Sequence, residues 1–324
     1  MKRREFFNLG TIGLSAMVAS SLTYAQSEIK NTGNRIDNST DMETKIFTSE
    51  VKESLSFLQI SDSHISCDNE SDTEYLPYSK RMGGGTVTKN RIDFFDQLLK
   101  KAKEEKTDFI ALTGDIINYP SATAVQTVWD RLKQSEIPFL YTAGNHDWHY
   151  EGMEGTEEEL RQEWIEKRLK PLYQGVNPMY SSILLKGVNI VCIDNSTYQI
   201  NEQQLEFYKE QRSKTEPIVL LMHIPLYMFS LNIFSCGHPD WGEKTDPYYK
   251  IERRPPWSKE GCTKTTKQFV QEVWTTPQLL GVFSGHKHQA RTIFSHNGGI
   301  QHIAAPALDG QYRLVQINNI TQNY

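Results

Sequence analysis

Phe139-Leu140-Tyr141-Thr142-Ala143-Gly144-Asn145-His146-Asp147 is the stretch that decides how this chain is read. A short apolar and aromatic run has the length and composition of a buried strand. The residues directly after it turn on a glycine and present Asn, His and Asp. The same layout recurs along the chain. Leu55-Ser56-Phe57-Leu58-Gln59-Ile60 leads to Asp62-Ser63-His64, and Phe109-Ile110-Ala111-Leu112-Thr113 leads to Gly114-Asp115. Ile218-Val219-Leu220-Leu221-Met222 leads to His223, and Leu280-Gly281-Val282-Phe283-Ser284 leads to Gly285-His286-Lys287-His288. A further run, Asn189-Ile190-Val191-Cys192-Ile193, completes the set of expected strands.

Charged amphipathic stretches separate these runs, at residues 89–106, 124–134, 156–170 and 202–213. Within the first, Ile92, Phe94, Phe95, Leu98 and Leu99 fall at helical spacing on one face. Strands alternating with helices predict a largely parallel α/β core. In such sheets the carboxyl ends of the strands face the ligand crevice. Five strand ends therefore gather Asp, Asn and His from distant parts of the sequence into one place.

Those residue types suit a particular chemistry. Neutral imidazoles and carboxylates bind borderline divalent ions such as Zn, Mn and Fe. A carboxylate shared by two ions holds them at the ~3.5–4 Å separation of two-metal hydrolases. An Asn oxygen adds a ligand without adding charge. Gly114, Gly144 and Gly285 stand where tight turns need unusual backbone angles. Any one Asp-x-His or Gly-Asp pair is commonly a turn or a helix cap. Five in order, each just past an expected strand and together using five of the nine histidines, are a different signal.

The ordered blocks resemble those of the calcineurin-like metallophosphoesterase superfamily, over roughly residues 57–288. The segment Asp194-Asn195-Ser196, followed by Gln204-Leu205-Glu206-Phe207, is similar to the family's strand, loop and helix between the third and fourth blocks. The resemblance implies a four-layered α/β/β/α sandwich of two mixed sheets. It implies two divalent metal ions (Mn, Fe or Zn), one held by Asp62, His64, Asp115 and His288. The other would be held by Asp115, Asn145, His223 and His286, with Asp115 bridging. His146 matches the family's histidine that contacts the scissile phosphate and protonates the leaving oxygen, with Asp147 either orienting it or bracing the loop. The implied reaction is attack of a metal-bridging hydroxide on a phosphate mono- or diester. Purple acid phosphatases in this superfamily carry a Tyr ligand three positions after the bridging Asp. Here that position is Asn118 and Tyr119 comes one residue late, which argues against an iron–tyrosinate centre. The competing reading is a metal-stabilised binding protein of the same fold with weak or lost catalysis. Loss of His146 or of a ligand would mark it, and neither is lost.

Outside these blocks the chain bounds the reading further. Its 324 residues are 38% hydrophobic and 23% charged, as in ordinary globular proteins. A net charge of −5 gives no general basic surface for nucleic acid, so a small phosphate ester is the expected partner. Residues 1–25 have a signal-peptide layout: Lys2-Arg3-Arg4, a short apolar run, and Thr23-Tyr24-Ala25 before Gln26. Arg3-Arg4-Glu5-Phe6-Phe7 fits either a twin-arginine or a general secretory signal. The expectation is an exported protein, periplasmic or secreted, with no transmembrane segment in its mature form. Residues 26–47 read as a polar linker, and residues 48–324 as one domain with an insertion at 227–276. Cys67, Cys192, Cys236 and Cys262 form no CxxC pair, which disfavours a thiolate zinc site. Residues 74–89 read as a flap near the site. His149, Arg253 and Arg254 are the candidate substrate-binding residues, cationic groups suited to gripping phosphate.

Overall fold

The computed structural model describes residues 28–31, 35–40, 42–84, 87–231, 235–239 and 261–320. These include β1 (Glu28–Asn31), β2 (Arg35–Ser39), β3 (Glu43–Thr48), β4 (Leu55–Ile60), β5 (Phe109–Thr113), β6 (Phe139–Thr142) and β7 (Tyr180–Leu185). Further along are β8 (Val188–Ile193), β9 (Ile218–Leu221), β10 (Leu279–Ser284), β11 (Arg291–Phe294), β12 (Ile300–Ile303) and β13 (Arg313–Asn319). One sheet has the order β1-β2-β3-β13-β4-β5-β6, the other β11-β12-β10-β9-β8-β7. Parallel ladders dominate the centre of both. Phe57 pairs with Phe109 and Ile110 with Phe139 in the first sheet, and β8, β9, β10 and β12 run parallel in the second. Antiparallel pairings join β1 to β2, β2 to β3 and, at the centre, β13 to β4 in the first sheet, and lie at both edges of the second, so both sheets are mixed.

Burial on both faces explains the near-continuous apolar runs. Phe57, Phe109 and Ala111 from the first sheet meet Ile190, Val219, Leu221 and Phe283 from the second in one buried layer. The opposite face of the first sheet, including Leu58, Ile110 and Leu112, packs on Phe95, Leu98, Val125 and Val128. These belong to the helices Lys89–Glu104 and Ala122–Ser135. The outer face of the second sheet, with Val191, Leu220 and Val282, is covered by Leu205 and Tyr208 from Glu202–Arg212 and by Phe269 and Val273 from Lys264–Trp274. The result is the expected helix, sheet, sheet, helix layering.

Two boundaries differ from the expectation. Residues 26–47 are not a plain linker, because β1 to β3 form an antiparallel meander there and extend the first sheet. Strand β3 pairs in parallel with β13. Its signal was a period of two in mostly polar residues: Thr44, Ile46 and Thr48 are buried while Glu43 faces out. Arg313 is fully buried beside it and donates to Thr40 O at 2.9 Å, Thr44 Oγ1 at 3.0 Å and Ile303 O at 3.1 Å. The insertion at 227–276 is likewise shorter than expected, since Lys264–Trp274 is a helix of the outer layer, capped by the Thr263 side chain. Residues 1–25, with the expected signal, lie outside the described residues. Among the described residues no helix is long and apolar enough to cross a membrane.

Phe283 sits at the join of the sheets, with its ring 5.1 Å from that of Phe57 and 4.8 Å from that of His302. Phe283→Ala leaves a cavity that neither sheet can close. It should lower unfolding free energy by about 3–5 kcal/mol in urea titrations, and a loss under about 1 kcal/mol would contradict this packing.

Candidate metal centre

Each expected ligand lies on a loop that leaves a strand end, and the local backbone there is unusual. Asp62, His64, Asp115, His286 and His288 all adopt left-handed φ angles, between 44° and 67°. Such a conformation costs a non-glycine residue about 1–2 kcal/mol, so neighbouring hydrogen bonds must hold it. Asp62 N donates to Gly114 O at 3.0 Å, and His64 N to Asp115 O at 2.9 Å. Gly285 N donates to His223 O at 2.9 Å, and His286 N donates to the Asp62 carboxylate at 3.0 Å. The loops are thereby stitched to one another across both sheets.

The three flagged glycines are required by close approach. A Cβ on Gly144 would fall 2.2 Å from Asp115 Oδ1, and one on Gly285 would fall 1.8 Å from Ser61 Oγ. Gly114 combines a φ of 84° with a Cβ position 2.5 Å from His223 Nδ1. A side chain at any of them would displace a ligand.

The ligand atoms converge in overlapping groups. Asp62, His64 and His288 bring their oxygen and nitrogens within 4.8 Å of one another, as do Asp115, His223 and His286. Asn145 joins the second group, its Oδ1 lying 3.2 Å from His223 Nε2. Asp115 stands between the groups, with Oδ2 at 3.2 Å from His223 Nε2 and 3.7 Å from His64 Nε2.

Hydrogen bonds on the far side of each ring fix which nitrogen faces inward. His223 Nδ1 lies 2.8 Å from Thr113 O, which can only accept, so the proton is on Nδ1 and the Nε2 lone pair points at Asp115 and Asn145. His64 Nδ1 lies 3.2 Å from Asn118 Oδ1, whose amide is oriented by donation to Met82 O at 2.8 Å. This turns the Nε2 lone pair toward His288 Nε2, 3.0 Å away. Tyr198 Oη lies 2.6 Å from His286 Nε2, leaving Nδ1 as the ligating atom. Lone pairs that face lone pairs require positive charge between them, so the donor set fits borderline divalent cations.

Where no ion is bound, protons supply part of that positive charge. Burial alone would raise the Asp115 carboxyl, but His223, His146 and His64 around it hold it well below the ordinary range. Burial lowers His223, and Asp115 outweighs it, lifting the imidazole to about 9. Burial also holds His64 below the usual histidine value.

A model of the calcineurin-like phosphoesterase family matches residues 55–290. The chain belongs to that family. Relatives are distant: a probable cyclic nucleotide phosphodiesterase of Psychrobacter arcticus is 22% identical over 82% of this chain and 84% of its own. A 3',5'-cyclic adenosine monophosphate phosphodiesterase of Vibrio vulnificus is 21% identical over 80% of this chain and 78% of its own. A crystal structure of a dimetal phosphatase from Danio rerio shares the fold, with a TM-score of 0.52 at 12% identity over 78% of this chain and 88% of that one. Family membership makes the chain a hydrolase of phosphoric esters.

His146 lies at the edge of the cage, its ring centroid 4.6 Å from that of His64. Its Nδ1 lies 3.2 Å from Asn118 O, so that nitrogen donates, and its main-chain N donates to Asp115 Oδ1 at 2.7 Å. Of the two roles expected for Asp147, its contacts are those of the loop brace. Its carboxylate accepts from the main-chain N of Asp115 at 2.8 Å, Gly144 at 2.7 Å and Ile117 at 3.0 Å. It braces the two loops that carry Asp115 and Asn145, and the Asn118 carbonyl takes the contact with the His146 ring. Asp147 is wholly buried, and burial with the nearby Asp115 charge pushes it up to about 7.

The cage opens into a cleft of about 670 Å³ whose walls include His149, Arg81, Arg91 and Asn118. His149 is buried in that wall. Arg253 and Arg254 lie outside the described residues. The expected flap is packed rather than free-standing: Tyr75 stacks on Tyr150 at 5.5 Å and meets the Trp164 ring edge-to-face at 4.9 Å, and Met82 Sδ accepts from Glu151 N at 3.3 Å. Tyr119 is turned away from the cage onto Asp68 Oδ2, 2.8 Å away.

Reading the sequence missed the partners that aim the ligands. Asn118 had been weighed only as a missing ligand, and Tyr198 carried no signal at all. Asn195, noted for its loop, accepts from the main-chain N of both His223 and Ile224. Removing Asn118 frees the His64 ring. Asn118→Ala should weaken divalent-ion binding about 10–100-fold in a competition titration against a chromophoric chelator. An unchanged affinity would show that the ring is held in some other way.

Proposed function

We propose that this chain is an exported, two-metal hydrolase of small phosphate mono- or diesters, with the diester the better substrate. The observation that carries the hydrolase reading is the convergence of Asp62, His64, Asp115, Asn145, His223, His286 and His288 with their lone pairs directed inward. The diester preference is supported by the relatives named as cyclic nucleotide phosphodiesterases.

Asp62, His64, Asp115 and His288 would hold one cation, and Asp115, Asn145, His223 and His286 the other, with Asp115 shared. When bound, such ions act as Lewis acids that neutralise phosphoryl oxygens and lower the pKa of water. The chain's own groups do the rest. Asn118 O fixes the Nδ1 side of His146, so its Nε2 is the nitrogen available to donate a proton to the leaving oxygen. Asp147 keeps the loops of Asp115 and Asn145 in register.

The test is a comparison of chromogenic mono- and diesters with metal-reconstituted protein. Chelation should abolish turnover, and Mn, Fe or Zn should restore it, with the diester turned over faster. His146→Ala should lower kcat about 10²–10⁴-fold while metal content is retained. Asp115→Asn should lose both metal and activity. Metal-dependent turnover that survives both substitutions would contradict the assigned roles.

Export rests on Lys2-Arg3-Arg4, the apolar run and Thr23-Tyr24-Ala25. Fractionated cells should yield a protein that begins at Gln26 outside the cytoplasm. An uncleaved cytoplasmic chain would refute that part of the reading.

A further inference from the structure

The cleft that opens over the cage also contains Arg81 and Arg91, whose positive charges neither the metal centre nor the general acid uses. Each guanidinium is tethered by a main-chain carbonyl. Arg91 Nη1 donates to His64 O at 2.6 Å, and Arg81 Nη1 donates to Glu151 O at 3.3 Å. A guanidinium carries five N–H donors, so most of each fork is left for another acceptor.

Three other arginines meet carboxylates: Arg131 with Asp96, Arg161 with Asp194, and Arg212 with Glu272. Among the described residues neither Arg81 nor Arg91 has such a partner. Glu151 lines the cleft, yet it meets Arg81 through its carbonyl and not its carboxylate. Asp309 is the carboxylate felt by Arg91, and it lies beyond ion-pair distance.

The position of Arg81 is also prepared. Its guanidinium lies 5.7 Å from the centre of the Tyr78 ring. A Cβ on Gly152, where φ is 80°, would stand 1.8 Å from Arg81 Nη1, so the guanidinium lies directly against this turn. A rigid, planar fork without a carboxylate partner, facing a cleft, matches the geometry of a phosphate or carboxylate. The cations and His146 already answer the charge of one scissile phosphate, and a diester carries only one negative charge. Two further guanidinium groups exceed what that group needs.

We propose that Arg81 and Arg91 form a second anion subsite, so that the preferred substrate carries another phosphate or carboxylate beside the scissile phosphoester. The inference rests on the phosphoesterase reading of the cage and narrows its substrate class.

The probes are thymidine 5'-(p-nitrophenyl phosphate), its 3'-phosphorylated counterpart and its 3'-O-succinyl counterpart, each turned over by the metal-loaded full chain. Wild type should favour an anion-bearing counterpart by about tenfold or more in kcat/KM, as expected for charge-assisted bonds. The phosphate and succinyl arms show which anion fits. In Arg81→Gln the ratio should fall to near one, and in Arg81→Lys it should stay intermediate, since the charge remains without the fork. Arg91→Gln should lower the ratio as well. Because Arg91 also supports His64, the ratio and not the rate is the readout. A wild-type ratio near one in both arms, or a ratio that all three variants leave unchanged, overturns the subsite.

If no ester is turned over, the hydrolase reading has failed, and the subsite is then read by calorimetry on the same metal-loaded protein. Thymidine 3',5'-bisphosphate should bind about tenfold tighter than thymidine 5'-phosphate, and Arg81→Gln should erase that difference. Equal binding by wild type would overturn the proposal independently of catalysis.

Discussion

Everything at the heart of this protein depends on acceptor groups that are made to face one another. Asp115 Oδ2, Asn145 Oδ1 and the Nε2 of His223 meet within 3.2 Å of the His223 nitrogen, with no donor among them when Thr113 holds the ring proton. In a buried place such an arrangement is tolerable only if positive charge sits at its centre, because an uncompensated charge or lone pair there costs several kcal/mol. A proton on His223 meets part of the demand, and divalent cations meet it fully. The fold keeps the groups from relaxing apart.

It does so by using both sheets. Strands β4, β5 and β6 end at Asp62, Asp115 and Asn145, and strands β9 and β10 of the other sheet end at His223 and His286. The buried layer of Phe57, Phe109 and Phe283 fixes the distance between the sheets. The left-handed residues then turn the ligands inward, at a conformational cost that the crosslinked loops and the buried layer offset. Asp147 belongs to this frame. Its three main-chain contacts tie the β5 loop to the β6 loop. Without that brace, the Asp115 carboxylate and the Asn145 amide would move independently.

Much of this was legible in the sequence because the signals were local and chemically specific. Apolar runs ending in Asp, Asn or His marked the strands β4, β5, β6, β8, β9 and β10, and their resemblance to a known family implied the ligand set. What escaped was of two kinds. Strands β1 to β3 lie toward one edge of the first sheet, and in β3 polar side chains hide the alternation, so that only Thr44, Ile46 and Thr48 betray a buried face. Asn118, Tyr198 and Arg91 act through contacts with residues distant in the chain, such as His64 and His286. Nothing in their own neighbourhood announces that role. Asp147 shows the same limit from the other side. Its position next to His146 suggested a partner for the ring, while its burial under three main-chain N–H groups made it a brace.

The most direct measurement is anomalous X-ray diffraction from crystals grown with manganese, recorded on both sides of its absorption edge. Two peaks are predicted, one among Asp62, His64 and His288 and one among Asn145, His223 and His286, with Asp115 touching both. No peak within this cluster, or a single peak that leaves either group of side chains without an ion, would contradict the account.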